Sequence, residues 1–219
     1  MMPVQPAPEP DSFDASVRGP GLRAIAELAG RKPKVPRTKG RPFKKLVDRE
    51  EEIPPHSLPT YWTKALDDLM DRYGQLCAYS CFRIHPVTGA GSVDHFAAKS
   101  TSWDQVYEWL NYRLCCSRLN ARKNNFGDVL DPFEVEDDWF HLELVGFQVI
   151  PAPGLAKEIL DRVQATIDRL DLNDFRRFRE EDAVHYWEKD YSLRTLKKES
   201  PFVARELYRQ GRLNEGDVW

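Results

Sequence analysis

Four residues in the middle of the chain have types and an order that suit the hydrolysis of phosphate esters. Asp94 directly precedes His95, and two asparagines, Asn111 and Asn120, follow. A carboxylate and an amide carbonyl are hard oxygen ligands for a divalent cation. A histidine with an ordinary pKa of about 6.5 is largely neutral at pH 7 and can take a proton from water. The set therefore predicts a one-metal phosphodiesterase in which the histidine activates water.

A purely structural role remains an alternative for some of these residues. A lone histidine on a strand is commonly a buried, hydrogen-bonded residue, so His95 could have no chemical role. Asn111 could cap a helix. Asn120 is harder to explain in this way, because asparagine is an indifferent residue inside a helix. The residues taken together favour catalysis.

Apolar spacing predicts the elements that would position these side chains. Large apolar residues recur at helical spacing over 62–73, and Gly74 should end that helix. Two strand-like runs, 77–85 and 92–96, surround a Gly-rich turn and predict a β-hairpin. The spacing of Tyr112, Cys115, Cys116 and Leu119 predicts a helix with a buried stripe, and Asn120 and Lys123 would lie on a neighbouring face of that helix.

The two ends of the chain differ in composition. Residues 1–55 are rich in proline, and we expect mostly extended or disordered backbone with a short helix at 22–28. Residues 31–45 contain eight basic residues and no acidic one. This strip either attracts phosphates or is a solvated tail, and both alternatives stay open. Residues 155–170 and 174–189 each predict a helix, and residues 193–208 predict a last pair of helices. We therefore divide the chain into a flexible segment at 1–55, a domain with the site at 56–150 and a helical extension at 151–219.

The size and composition of the chain limit its class. With 219 residues, 41% of them hydrophobic, it can form one compact domain with appendages. The net charge of −3 does not by itself indicate a nucleic-acid-binding protein. No apolar run approaches the about 20 residues that cross a bilayer, and the first residues lack a secretory pattern. We expect a cytoplasmic protein with no membrane partner.

Several short sequences resemble one enzyme family. VDHFAAKS (93–100), WLNYRL (109–114), NARK (120–123) and VLDPF (129–133) are similar to the HNH endonucleases. The nearest group is the bacterial Septu-type and retron-associated HNH nucleases. The resemblance covers about residues 60–140. It implies an α+β protein with a ββα-metal (HNH) nuclease core, an N-terminal helix and a C-terminal helical extension.

The resemblance also implies roles for individual residues. His95 would be the general base. Asn111 would brace a loop and help to hold His95 in position. Asp94 and Asn120 would bind a single Mg²⁺, Mn²⁺ or other divalent ion. Three cationic residues would lie near the phosphates of DNA: Lys123, Lys99 and Arg122. The activity would be cleavage of DNA in phage defence or as a toxin, alone or with a partner ATPase. The alternative is an inactive nucleic-acid-binding or adaptor module that keeps the ββα shape.

The cysteines depart from the family pattern. Many HNH proteins bind a structural zinc through two Cys-x-x-Cys pairs. Here Cys77 and Cys81 are one residue further apart, and of the vicinal Cys115 and Cys116 only Cys116 is in register. Cys77, Cys81 and Cys116 would be the zinc ligands. Adjacent cysteines on a helix point about 100° apart, so we do not expect structural Zn²⁺ and place the thiols in the core.

Overall fold

Seven α-helices and two small antiparallel sheets form an α+β fold, described by a computed structural model of all 219 residues. The elements are, in chain order, α1 (Gly19–Leu28), α2 (Leu66–Arg72), β1 (Gly91–His95), β2 (Tyr112–Cys116), α3 (Ser117–Lys123), β3 (Phe140–Leu142), β4 (Val149–Pro151), α4 (Lys157–Leu170), α5 (Arg176–Trp187), α6 (Leu193–Glu199) and α7 (Pro201–Arg209). No helix has both the length and the apolar character needed to cross a membrane.

Strands β1 and β2 and helix α3 position the candidate site. The two strands pair antiparallel, with Gly91 opposite Cys116 and His95 opposite Tyr112. A long loop, 96–111, joins them and contains two short 3₁₀ turns. β2 leads directly into α3, which therefore lies beside β1.

The strand that pairs with β1 is not the one predicted. The run 77–85 contributes only an isolated bridge between Leu76 and Arg83, and the partner of β1 is β2. The predicted helix is wrong over 112–116 and correct only from Ser117 onward. β2 is almost entirely buried, so its apolar residues do not alternate with polar ones. Periodicity alone cannot distinguish such a short buried strand from a helix.

The N-terminal segment is more ordered than predicted. A π-helical turn at Asp14–Arg18 continues into α1, which contains the short helix predicted at 22–28 and begins three residues earlier. Phe13 is fully buried, with its ring edge-on to those of Trp109 and Tyr112. The expectation of a flexible segment is therefore wrong for this part, because apolar residues between the prolines supply a buried face.

The helices predicted on either side of the site are present. A 3₁₀ turn at Tyr61–Ala65 leads into α2, which ends just before Gly74, a residue with φ of 58°. The C-terminal extension forms α4 to α7, as predicted. One hydrophobic core includes residues from all three predicted segments, from Met1 to Leu207.

Candidate functional site

Asp94 and His95 are the last two residues of β1, and their side chains point to opposite faces of the strand. The Asp94 carboxylate contacts α3 through Lys123. The His95 ring packs instead between the rings of Trp62 and Tyr112, with centroid distances of 5.0 and 5.1 Å. The predicted base and the predicted metal ligand are therefore neighbours at the end of β1, but their side chains lie on opposite sides of the strand.

The His95 ring has a defined tautomer. Its Nε2 lies 3.0 Å from the carbonyl oxygen of Val106. A carbonyl can only accept a hydrogen bond, so Nε2 carries the proton and Nδ1 is the basic nitrogen. Nδ1 has no partner in the protein, and it is not among the fully enclosed unpartnered atoms, which belong to Arg179 and Arg205. It is therefore unpartnered without being completely enclosed.

Burial keeps the His95 ring neutral. The side chain is only 5% exposed. Burial lowers the pKa of His95 to about 3, and the positive charge of Lys99 and, more weakly, that of Lys123 act in the same direction. The ring is consequently in its proton-accepting form throughout the physiological pH range.

Asn111 closes the base of the loop that holds His95. Its Oδ1 accepts a hydrogen bond from the N–H of Ala97 at 2.7 Å, and its Nδ2 donates to the carbonyls of Ala97 and Gln105 at 3.2 and 2.9 Å. The Val106 carbonyl also accepts a hydrogen bond from the Tyr112 hydroxyl at 2.8 Å. The acceptor that orients His95 is therefore fixed from two directions.

The Asp94 carboxylate is buried and partnered on both oxygens. Oδ2 accepts a hydrogen bond of 2.6 Å from the Tyr79 hydroxyl, and Oδ1 lies 3.1 Å from the Lys123 Nζ. Lys123 also donates to the carbonyls of His95 and Phe96. Burial raises the pKa of Asp94, and the nearby Lys123 and Tyr79 oppose this rise.

These contacts correct two predictions about phosphate binding. The Lys123 ammonium is enclosed against Asp94, so it is not placed to reach a phosphate. Arg122 bonds the carbonyls of Leu170 and Asp171 and pairs with Asp174, so its guanidinium joins α3 to the helical extension. Both side chains were expected to be free because the sequence does not reveal their tertiary partners.

Lys99 remains a candidate for contact with phosphate. Its side chain is half-buried, and its Nζ lies 4.8 Å from the centre of the Trp62 ring. Trp62 in turn contacts His95. Burial lowers the pKa of Lys99, and the Asp94 charge partly offsets this. Lys99 forms no ion pair, so its charge is available to an anionic ligand beside His95.

Asn120 shares the α3-covered face of β1 with Asp94. Its Nδ2 donates to the Ser92 hydroxyl at 3.1 Å and to the Val93 carbonyl at 3.3 Å. Ser92 and Asp94 are two residues apart on the strand and so lie on the same face. The Asn120 Oδ1 has no hydrogen-bond partner, which leaves it as a free acceptor.

The types of donor on this face fit a hard divalent cation. Asp94 offers carboxylate oxygens and Asn120 an amide oxygen, the ligands that Mg²⁺ and Mn²⁺ prefer. The Lys123 ammonium contacts one of these oxygens, and a second cation there would be repelled by it. A metal that uses this oxygen therefore competes with Lys123. No group of three or more His, Cys, Asp or Glu side chains is arranged to hold a metal ion.

The thiols of Cys77, Cys81 and Cys115 are buried and that of Cys116 is half-buried, and the last two residues belong to β2. The Cys77 sulfur accepts a hydrogen bond from the backbone N–H of Cys116 at 3.5 Å, and Cys115 is adjacent. The Cys81 thiol lies near the amino group of Met1, whose charge acts on it. Cys77, Cys81 and Cys116, the residues that a structural zinc would use, belong to no cluster of three or more potential metal ligands.

Three residues of the site gave little sequence signal. Tyr79 and Trp62 could only be recognised as apolar residues of neighbouring elements, although one bonds Asp94 and the other contacts His95. Val106 acts through its main-chain carbonyl, which every residue type has. The spacing of Asn120 and Lys123, one helical turn apart, was the only available sign that both face β1.

No known protein-family model matches the chain, and no curated protein has a significantly similar sequence. The interpretation of the site therefore depends on its geometry and on the sequence pattern.

Proposed function

We propose that this protein is a metal-dependent endonuclease of the HNH type that hydrolyses phosphodiester bonds of DNA. The main support is the arrangement of His95. A loop carbonyl holds its Nε2–H, and its Nδ1 remains a free base at the end of a strand that is covered by a helix. The resemblance of residues 93–100 and 120–123 to HNH endonucleases agrees with this assignment.

In the proposed reaction, Nδ1 of His95 accepts a proton from a water molecule as the water oxygen attacks phosphorus. The Val106 carbonyl stabilises the imidazolium that forms, because it holds the opposite N–H. Lys99 would pair with the phosphate. A bound phosphate anion would also raise the pKa of His95, since it counters the Lys99 charge that now lowers this pKa.

The α3-covered face of β1, on the other side of the strand from the His95 ring, would supply the metal ligands, so the scissile phosphate would have to lie across the end of β1. A divalent cation held by the Asp94 carboxylate and the Asn120 amide oxygen would polarise the phosphate and stabilise charge on the departing oxygen. In the absence of such an ion, Lys123 balances the Asp94 charge. Asn111 acts as a positioning residue, because it reaches His95 only through the loop that carries Val106.

A plasmid-nicking assay with Mg²⁺, Mn²⁺ or EDTA tests the proposal. We expect cleavage with metal, none with EDTA, and none for His95→Ala, with unchanged circular dichroism. His185→Ala is a matched control, because His185 is an exposed residue of α5. Cleavage by His95→Ala at the wild-type rate would refute the proposal that His95 is the general base.

A second candidate function is a non-catalytic nucleic-acid-binding or adaptor module. The buried contact between Lys123 and Asp94 favours it, because this ion pair satisfies the carboxylate without a metal. DNA binding without nicking, under every metal condition, would support this candidate over the enzyme.

A partner and a biological setting follow only from the resemblance. Septu-type systems pair the nuclease with an ATPase, and the helical extension is the part of this chain with no proposed chemistry. Co-purification of an ATPase, together with weak activity of the isolated protein, would support a role in phage defence. Full activity of the isolated chain would favour a free-standing nuclease or toxin.

A further inference from the structure

We propose that residues 31–45, here called the basic arm, bind the phosphate backbone of double-stranded DNA beside the candidate site. The identification of DNA rests on the proposed function. The binding surface itself is argued from charge, anchoring and location.

Most cations of the basic arm have no acidic partner. Arg31 pairs with Glu50, Arg37 with Glu27 and Lys45 with Asp48. The remaining cations of the arm are exposed and form no ion pair: Lys32, Lys34, Lys39, Arg41 and Lys44. An unneutralised cluster of this kind attracts phosphates even though the chain as a whole is acidic.

The basic arm is anchored to α1 and is not a loose tail. The buried Glu27 carboxylate accepts hydrogen bonds from Nε and Nη2 of Arg37 and from the backbone N–H of Phe43. Arg37 also stacks over the Phe43 ring, with 4.8 Å to its centre. Just beyond the arm, the backbone N–H groups of Leu46 and Val47 bond the Leu28 carbonyl. This anchoring lowers the entropy that the arm would lose on binding a ligand.

Helix α1, which precedes the arm, packs on the loop that holds His95. Arg18, just before α1, pairs with Glu108 of that loop at 3.1 Å. A Cβ atom added to Gly21 of α1 would lie 2.2 Å from Cγ of Tyr107. Tyr107 directly follows Val106, whose carbonyl orients His95. The helix that precedes the arm is therefore packed on the loop whose Val106 carbonyl orients the predicted base.

A second connection runs through Tyr61 and Trp62. The Tyr61 ring lies 6.3 Å from that of Tyr107, on the loop against which α1 packs. Glu27 is the main cause of the raised pKa of Arg37, and Tyr61 acts in the same direction. The next residue, Trp62, contacts both His95 and Lys99. A phosphate backbone that follows the arm past Tyr61 would thus lead to Lys99 and His95.

The composition of the arm favours duplex over single-stranded DNA. Proteins that bind single strands usually stack bases on exposed aromatic side chains. The arm has one aromatic residue, Phe43, which is half-buried beneath Arg37. Pro33, Pro36 and Pro42 each fix one φ angle and keep the arm out of a helix, and bends lie at 34–35 and 38–40. The free cations are therefore spread along an irregular segment that can contact several phosphates.

The test measures DNA binding in EDTA, so that cleavage plays no part. An arm variant changes Lys32, Lys34, Lys39, Arg41 and Lys44 to Gln. A control variant makes the same net charge change at exposed, unpaired cations of the helical extension: Arg176, Lys189, Arg194, Lys198 and Arg212. Fluorescence anisotropy with a mixed-sequence duplex is followed across a salt series, and thermal melts verify that both variants fold.

We expect the arm variant to bind duplex DNA at least about tenfold more weakly than wild type at low salt. Its slope of log K against log salt should fall by about 0.9 for each phosphate that the arm no longer neutralises. The control variant should bind nearly as wild type. Equal losses of affinity in both variants, no DNA binding by wild type, or arm-dependent binding confined to single strands or RNA would overturn the proposal.

The outcomes separate this proposal from the proposed function. Arm-dependent DNA binding without any metal-dependent nicking would refute the proposed endonuclease activity and support the arm as a DNA-binding surface. If the arm variant nicks DNA normally and its salt slope is unchanged, DNA binding by the arm is refuted and the proposed endonuclease activity is not.

Discussion

Lys123 and Asp94 form a buried ion pair between α3 and β1, with Nζ 3.1 Å from Oδ1 and the side chains only 1% and 2% exposed. An ammonium has three N–H donors, and all three are used here, since the carbonyls of His95 and Phe96 accept the other two. The second Asp94 oxygen bonds Tyr79. The pair is therefore fully satisfied, and removal of either charge should have a large effect.

The first prediction concerns Lys123→Met. This change leaves the Asp94 carboxylate buried without its cation, and we expect the free energy of unfolding to fall by about 3–5 kcal/mol. Urea denaturation measures the loss. The double variant Asp94→Asn with Lys123→Met should recover much of it, because no buried charge is left unpaired. Lys157→Met, which breaks an exposed pair with Asp161, is the control and should cost less than about 1 kcal/mol.

The second prediction concerns the loop bracing by Asn111. Asn111→Ala removes three hydrogen bonds and leaves the Ala97 N–H without its acceptor. At about 1 kcal/mol for each bond, we expect a loss of roughly 2–4 kcal/mol in the free energy of unfolding. The Ala97 amide should also exchange its hydrogen faster, as measured by NMR. Unchanged exchange at Ala97 would show that the side chain does not hold the loop closed.

The third prediction concerns pH. The pKa of His95 is about 3 in the folded protein, below the ordinary 6.5, because burial disfavours the charged ring. The contribution of the neutral His95 ring to the free energy of unfolding is thus fully present above about pH 6.5 and is lost as the pH falls toward 3. Between pH 7 and pH 5, His95 should account for a loss of about 2 kcal/mol. His95→Gln does not titrate, so its unfolding free energy should fall less over this interval. Identical pH profiles for the two proteins would contradict the prediction.

The fourth prediction concerns the contact between α1 and the loop. Gly21→Ala places a methyl group against the buried Tyr107 ring, and we expect a loss of about 1–3 kcal/mol from overpacking. Gly127→Ala is the control, because no atom lies within 4 Å of its added Cβ. If both variants melted at the same temperature, the close approach of α1 to the loop would be refuted.

The sequence was informative where apolar spacing was regular. Val163, Ile167 and Leu170 recur on one side of α4, and all three are buried, so this helix could be predicted. The α+β class is likewise confirmed. β2 could not be identified as a strand, because burial on both faces removes the alternation that marks one.

The details of the site needed the tertiary structure. The basic character of Lys123 predicted an exposed role, whereas its three partners come from β1 and the residue that follows it. The carbonyl that orients His95 depends on the path of a loop and not on a residue type. The order of the polar residues was visible in the sequence, but their partners were not.

Helix α3 has only seven residues, too few to be stable in isolation, and it is joined to the C-terminal part of the chain by Asp174, which pairs with both Arg118 and Arg122. A truncation after residue 150 would keep every side chain proposed for chemistry and yet release the helix that presents Asn120. The ion pairs of Asp174 therefore connect the helical extension to the helix that presents Asn120, and loss of the extension should loosen this helix.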